Sequence, residues 1–140
     1  MEKYFKDFDS WNNKVKLLDS VDFNDFFYSR EIWWCALGVN IGSEQDGKNE
    51  SFERSVLILK KINKDLLWIV PLTSKVIDNE YRTNVKITGI QSQVSLSQLR
   101  SISSKRLLRK IGTIKSVTFY EILIKLAFIL LGVLKDETPP

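Results

Sequence analysis

Several short patterns in this 140-residue chain carry residue types that can manage a phosphate. Arg54 stands between a polar loop and the apolar run Val56-Leu57-Ile58-Leu59. A guanidinium fixed at the edge of a strand clamps phosphate oxygens through two parallel N–H bonds, although a surface ion pair is the commoner use of such an arginine. Pro71-Leu72-Thr73-Ser74-Lys75 offers two hydroxyls and an amine at the entrance to a loop. That cluster suits phosphate oxygens and equally suits an ordinary hydroxyl-capped turn. Gln98 and Arg100 flank Leu99, so a strand would present both on the side opposite that leucine, whether toward a ligand or toward water. In Lys105-Arg106-Leu107-Leu108-Arg109-Lys110, cations surround an apolar pair, which fits phosphate-backbone contact or a solvated helix face.

Other chemistries are excluded by composition. The chain has no histidine, so it can form neither a Ser-His-Asp nor a Cys-His pair, and two-histidine RNA cleavage is ruled out too. Its one cysteine, Cys35, cannot close an internal disulfide or build a Cys/His zinc site. Placed inside Ile32-Trp33-Trp34-Cys35-Ala36-Leu37, it reads as a small core residue in a protein of a reducing cytoplasm. Gly42-Ser43-Glu44-Gln45-Asp46-Gly47-Lys48-Asn49 comes close to a nucleotide phosphate loop. Asn49 lacks the hydroxyl that would hold magnesium, Glu44 and Asp46 would repel a triphosphate, and a strand follows rather than a helix N-terminus. No metal or other cofactor is expected.

The elements that must position these residues are those of one domain. Ser10 reads as the N-cap of a first helix carrying Trp11, Val15 and Leu18 at helical spacing. Residues 30–37, 56–62 and 66–72 read as strands, the last two joined at Asn63-Lys64-Asp65, with weaker strands at 84–88 and 93–99 turning around Gly89. The loop at 38–54 is long and expected to be mobile. Residues 103–110 read as a short helix, and the apolar stretch 116–135 as a closing helix in which Glu121 and Lys125 form a four-apart ion pair. That stretch is interrupted too early to span a bilayer, and so apolar a helix needs burial on more than one side, including against a second subunit. The formal charge of +4 conceals residues 81–120, which hold eight basic residues and no acidic one, as a polyanion partner would favour. The N-terminus shows no signal peptide. Short strands between two helices indicate a mainly β fold with α additions, a small, strongly curved β-barrel.

Three blocks, REIWWCALGVNIGSEQDGK, FERSVLILKKINKDLLWIVPLTSK and VSLSQLRSISSKRLLRKIG, occur in the order found in the MazF/PemK toxins, and the chain resembles that family over residues 30–135. The resemblance implies an SH3-like barrel with a C-terminal helix and a homodimer. It also implies a sequence-specific, metal-independent endoribonuclease of single-stranded RNA that leaves a 2′,3′-cyclic phosphate and a 5′-hydroxyl, and so arrests translation and growth. A cognate antitoxin would neutralise it, and DNA would be met only through the antitoxin complex. It places residues 1–28 as an N-terminal helical extension, 29–135 as the barrel domain and 136–140 as a disordered tail. The essential arginine of the family falls on Arg54 and its hydroxyl residue on Thr73, with Ser74 and Lys75 following. Its late glutamine and arginine fall on Gln98 and Arg100, and its access loop on Gly42, Ser43, Glu44 and Gln45. Ser55 stands where most relatives have proline after the arginine. Ser97 stands where some have an acid assigned to general-base work, so the base is left unassigned.

Such a reaction needs a deprotonated 2′-hydroxyl, a stabilised phosphorane and a protonated leaving oxygen, and fixed donors aimed at the developing charge supply most of the benefit. Arg54 and Thr73 are suitable donors, while an arginine with a pKa above about 12 is a poor base. The competing expectation is a non-catalytic SH3-like dimer that binds RNA or a peptide through the same groove. A DNA-directed toxin on the same barrel fits these residues less well. The base sequence at which RNA would be cut is not encoded in any local pattern.

Overall fold

The computed structural model describes residues 4–49 and 51–132. In chain order it holds α1 (Phe8–Ser20), β1 (Glu31–Ala36), β2 (Glu53–Lys61), β3 (Leu66–Thr73), β4 (Arg82–Ile87), β5 (Ile90–Ser95), β6 (Arg100–Ser103), β7 (Leu107–Thr113) and α2 (Ser116–Leu130). Single 3₁₀ turns at Leu96–Gln98 and Ser104–Arg106 flank β6. The strands are antiparallel in the order β4-β5-β3-β2-β1-β7, and β6 also pairs with β3.

β3 makes the sheet curl, because its first half pairs with β6 (Leu66 to Ile69) and its last residues, Leu72 and Thr73, pair with β5. Pro71, which has no N–H to donate, falls where one partner has ended and the other begins. The central strands are buried on both faces, which explains their unbroken apolar runs. Ile32, Leu57, Leu59, Val70 and Leu72 join Phe119 and Ile122 of α2 in one core. The alternate residues Trp33, Cys35, Val56, Ile58, Leu67 and Ile69 form the other. Cys35 is fully buried there, and burial pushes its thiol pKa up to about 12.

α1 begins earlier than the sequence indicated. Asp7 is its N-cap, and Ser10 instead supplies the third N–H of the first turn, donated to Asp7 Oδ1 at 3.0 Å. The helix docks through Trp11 against Ala36 and Val39. Gly38 lies directly beneath, with φ +81°, and a Cβ there would stand 1.9 Å from Trp11 Cε2.

Residues 103–110 are not a helix. After the turn at Ser104–Arg106 the chain runs as β7 against β1, with Trp33 opposite Lys110 and Trp34 opposite Arg109. β7 buries Leu107 on one side and turns Leu108 toward Trp11 on the other, a division of the two leucines that pairing with β1 rewards. Gln98 and Arg100 therefore do not share a strand face: Gln98 ends a 3₁₀ turn and Arg100 opens β6. The Glu121–Lys125 ion pair is not made, since Lys125 Nζ donates to the Arg82 carbonyl at 2.7 Å. Among the described residues no helix is long and apolar enough to cross a membrane. Residues 136–140, expected to be disordered, lie outside the described residues.

Candidate active site

Arg54 is the second residue of β2, opposite Cys35 of β1. Carrying the β2–β3 register one step past Val56 and Pro71 at a time brings Arg54 beside Thr73. By alternation both lie on the face of Val56 and Ile69, at the end where that core gives way to the loop at 38–52.

Only 8% of Arg54 is exposed, and its guanidinium is held by neutral acceptors. Nε donates to the Asp46 carbonyl at 2.6 Å and Nη1 to the Leu72 carbonyl at 3.2 Å. With its oxygen turned toward Arg54, the Gln45 amide accepts from Nε at 3.2 Å and Nη2 at 3.0 Å, the orientation that satisfies both groups. Each terminal nitrogen thus retains an N–H for a further acceptor. Among the described residues no carboxylate lies within ion-pair distance of Arg54. Burial lowers its pKa, the charge on Asp46 opposes that shift, and the guanidinium stays protonated. A buried, immobilised cation whose charge lacks a direct partner is matched to an incoming anion.

The loop that holds Arg54, expected to be mobile, is tied at its described residues by a set of hydrogen bonds. Gly47 N donates to Gly38 O at 2.8 Å, and Lys48 and Glu53 exchange backbone bonds at 2.7 and 3.1 Å. Gly47 admits no side chain: a Cβ would stand 1.7 Å from the Phe52 carbonyl oxygen. Asp46 is buried, and its carboxylate accepts from Asn40 N at 2.6 Å and Tyr4 Oη at 2.9 Å, with Lys6 Nζ 3.5 Å away. Asn40 Nδ2 closes the loop by donating to Leu37 O and Gln45 O at 3.1 and 2.8 Å.

Thr73 is half-buried, and its Oγ1 accepts from Lys75 N at 3.2 Å, which leaves the hydroxyl proton free to donate. Arg54, Thr73 and Ser74 border a cavity of about 590 Å³ together with Trp34, Lys48, Glu53, Ser55 and Arg109. Arg109 grips Glu53 through Nη1 at 3.3 Å and Nη2 at 3.0 Å, and its guanidinium carbon stands 5.4 Å from the Trp34 ring. Trp34 went unnoticed in the sequence, and Arg109 stood out there only as one cation of the cluster at 105–110. The signal was available in Trp33-Trp34, since alternation along β1 sends one ring into the core and the other outward.

The remaining candidates are placed differently. Gln98 is spent on the loop: its Oε1 accepts from Gln45 N at 2.9 Å and its Nε2 donates to Ser43 O at 3.0 Å. Glu44 is exposed and accepts from Ile41 N at 2.9 Å. Lys75 is exposed beyond Thr73, and Arg100 is half-buried opposite Ile69, away from the residues bordering the cavity. The acid-free stretch of sequence is not acid-free in space, because Lys110 pairs with Glu31 at 2.8 Å and Arg109 with Glu53. Arg106 donates to the Ala36 and Leu37 carbonyls at 3.1 and 3.4 Å, and its pKa is lowered by burial and by Arg100. Among the described residues no three His, Cys, Asp or Glu side chains converge as a metal site.

The sequence model of the PemK-like, MazF-like toxins of type II toxin–antitoxin systems matches residues 28–130. Curated protein sequences yield no match. Among solved structures, MazF from Deinococcus radiodurans superposes with a TM-score of 0.64 at 20% identity, over 78% of this chain and 99% of that one. An endoribonuclease in complex with its cognate antitoxin from a mycobacterial species gives 0.57 at 13% identity, over 79% of this chain and 100% of that one. The Mycobacterium tuberculosis toxin MazF-mt6 gives 0.56 at 18% identity, covering 72% of this chain and 96% of the other. At such identities the superpositions establish the shared fold, an antiparallel half-barrel closed by helices. With the sequence model spanning most of the domain, the chain belongs to the PemK-like, MazF-like toxin family of type II toxin–antitoxin systems.

Proposed function

We propose that this protein is an endoribonuclease toxin that cuts single-stranded RNA at a phosphate seated against Arg54. The observation that carries this reading is the guanidinium itself: buried, locked by carbonyl and amide oxygens, without a carboxylate of the described residues at ion-pair distance, on a residue that borders one cavity with Thr73. Membership of the toxin family and the endoribonucleases among its structural relatives support it.

In the proposed reaction the 2′-hydroxyl gives up its proton and its oxygen bonds to phosphorus. The bond from phosphorus to the 5′-oxygen breaks, and that oxygen takes up a proton. The products are a 2′,3′-cyclic phosphate and a 5′-hydroxyl. Arg54 stabilises the negative charge that builds on the phosphorane oxygens, through the N–H groups its protein partners leave free. Its donors are already in place before substrate arrives, so no reorganisation is needed at the moment of reaction. Thr73 Oγ1 donates to the same oxygens, and Ser74 and Lys75 extend the donor set into the loop that follows β3. Glu44, Gln45 and Gln98 act by shaping the loop over the groove, and Arg100 adds positive field. The proposed assembly is a homodimer. Val117, Tyr120, Ile124 and Phe128 of α2, with Leu131 just past its end, form one exposed apolar stripe, as a subunit contact requires. A cognate antitoxin would cover the groove, and DNA would be reached only through that complex.

The test is incubation of purified protein with a long RNA in excess EDTA, followed by 5′-end labelling with and without prior phosphatase treatment. New ends that accept label without phosphatase are the expected result. Retention of RNA without new ends would instead indicate a binding module.

A further inference from the structure

Residues 4–7 precede α1 and lie outside the stretch matched by the family, which begins at residue 28. They are nevertheless tied to the site. Tyr4 Oη donates to Asp46 Oδ2 at 2.9 Å, and Lys6 Nζ donates to the Asn40 and Gly42 carbonyls at 2.7 and 2.9 Å. Asp46 is the residue whose carbonyl accepts from Arg54 Nε. Strap and loop together enclose a second cavity of about 710 Å³, bordered by Tyr4, Phe5 and Lys6 on one side and by Gln45, Lys48 and Arg54 on the other. Lys48, Asn49 and Arg54 border both cavities, so they form the ridge between them. A strand whose phosphate rests on Arg54 and that crosses this ridge has a cavity on either side for its neighbouring nucleotides.

The chemistry of the second cavity suits a base better than a phosphate. Its cations Lys48 and Arg54 stand on the shared ridge; away from that ridge the bordering charges are Lys6, which is matched by Asp46, and the acids Asp7 and Glu44. What it presents is aromatic surface: Tyr4 is 64% exposed and Phe5 78% exposed, on a strap fixed by the bonds above. Exposed rings beside a cationic ridge are the arrangement on which unpaired bases stack.

We propose that the strap at residues 4–7 forms a base-stacking subsite for a nucleotide flanking the one bound at Arg54, with Phe5 as its principal ring. This rests on the RNA-cleaving reading above and extends it to a wall that the family-matched stretch does not supply. The experiment compares the full-length protein with Phe5→Ala, which removes an exposed ring and none of the bonds that fix the strap. Affinity is read by fluorescence anisotropy on a single-stranded RNA pool 2′-O-methylated throughout, so that it cannot be cut. Phe5→Ala is expected to bind about tenfold more weakly at an unchanged melting temperature. On a matching oligonucleotide with abasic positions the two proteins are expected to bind alike. Equal binding of the base-bearing pool, or tighter binding by the variant, would overturn the subsite, the second outcome making the strap a cover instead. Unmodified RNA is assayed in parallel. A wild-type protein that binds the pool but cuts nothing refutes the nuclease reading while the anisotropy still decides the subsite, and one that binds no RNA refutes both.

Discussion

Replacing Gly47 by alanine tests whether the loop that fixes Arg54 is as tightly built as the structure shows. The new Cβ would lie 1.7 Å from the Phe52 carbonyl oxygen, 2.2 Å from its carbon and 2.9 Å from Glu53 N. All of these are backbone atoms, so no side-chain rotation relieves the clash. The turn between Lys48 and Glu53 must open, and with it the carbonyl of neighbouring Asp46 moves off Arg54 Nε. Overpacking of this kind costs about 1–3 kcal/mol. At about 3–4 °C per kcal/mol for a domain of this size, the melting temperature falls by about 3–12 °C. Cleavage should drop further than the loss of folded protein explains, because a misplacement of about 1 Å at a reacting group costs on the order of a hundredfold. Gly112→Ala is the internal control, since a Cβ there meets nothing within 4 Å and the backbone is not left-handed. It should melt at or slightly above the wild-type temperature, as a glycine replaced at a compatible site does. The assay is thermal unfolding by circular dichroism, with RNA cleavage rates measured well below both transitions. A Gly47→Ala protein with wild-type melting and wild-type cleavage would show that this loop neither packs this tightly nor fixes Arg54.

Arg54→Lys keeps the charge but loses the fork that meets several acceptors at once, and kcat should fall about 10²–10³-fold with a smaller change in KM. Glu31 accepts from Trp33 Nε1 at 3.0 Å, Tyr28 N at 2.8 Å and Lys110 Nζ at 2.8 Å. Burial raises its pKa, but these bonds outweigh it and hold the carboxyl below its ordinary value. The stability it contributes is therefore full above about pH 5 and lost as the pH falls through the depressed pKa. In denaturant titrations Glu31→Gln should be less stable than wild type by about 1–2 kcal/mol at pH 7, the gap closing toward pH 3. Cys35, with its pKa raised to about 12 and no exposed surface, should resist thiol reagents at pH 8 until the protein is unfolded. Rapid labelling of the native protein would contradict its placement. Gln98→Leu should lower the melting temperature by a few degrees and raise protease cutting within 38–47, since both polar groups of Gln98 are spent on that loop.

The parts of the fold set by near neighbours were readable from the sequence. β2, β3 and their turn at Asn63-Lys64-Asp65 stand where the β-branched runs put them, with Asn63 Oδ1 accepting from the N–H groups of Asp65 and Leu66. Helix α2 likewise follows from its apolar stretch. What failed was decided at long range. Leu107-Leu108 between cations fits a helix as well as a strand, and only pairing with β1 selects the strand. Ser10 is a good cap by type, but Asp7 three residues earlier takes that role and spends its carboxylate on Ser10 N.

The site shows the same division. Arg54 and Thr73 could be chosen as candidates because each stands at a junction between an apolar run and a polar loop. The ties that fix Arg54 were not, since Tyr4 reaches Asp46 across 42 residues and Gln98 reaches Gln45 across 53. Asp46 inside a polar loop carries no local sign that it will be buried. The basic stretch at 81–120 misled in another way, because the acids that neutralise it, Glu31 and Glu53, come from strands read separately.

The most direct test of the central claim is single-turnover cleavage of RNA in EDTA by wild type and Arg54→Ala, with circular dichroism spectra and melting curves recorded on both. A folded Arg54→Ala protein slower by at least about 10²-fold is expected. A folded variant that yields 5′-hydroxyl ends at the wild-type rate would contradict it.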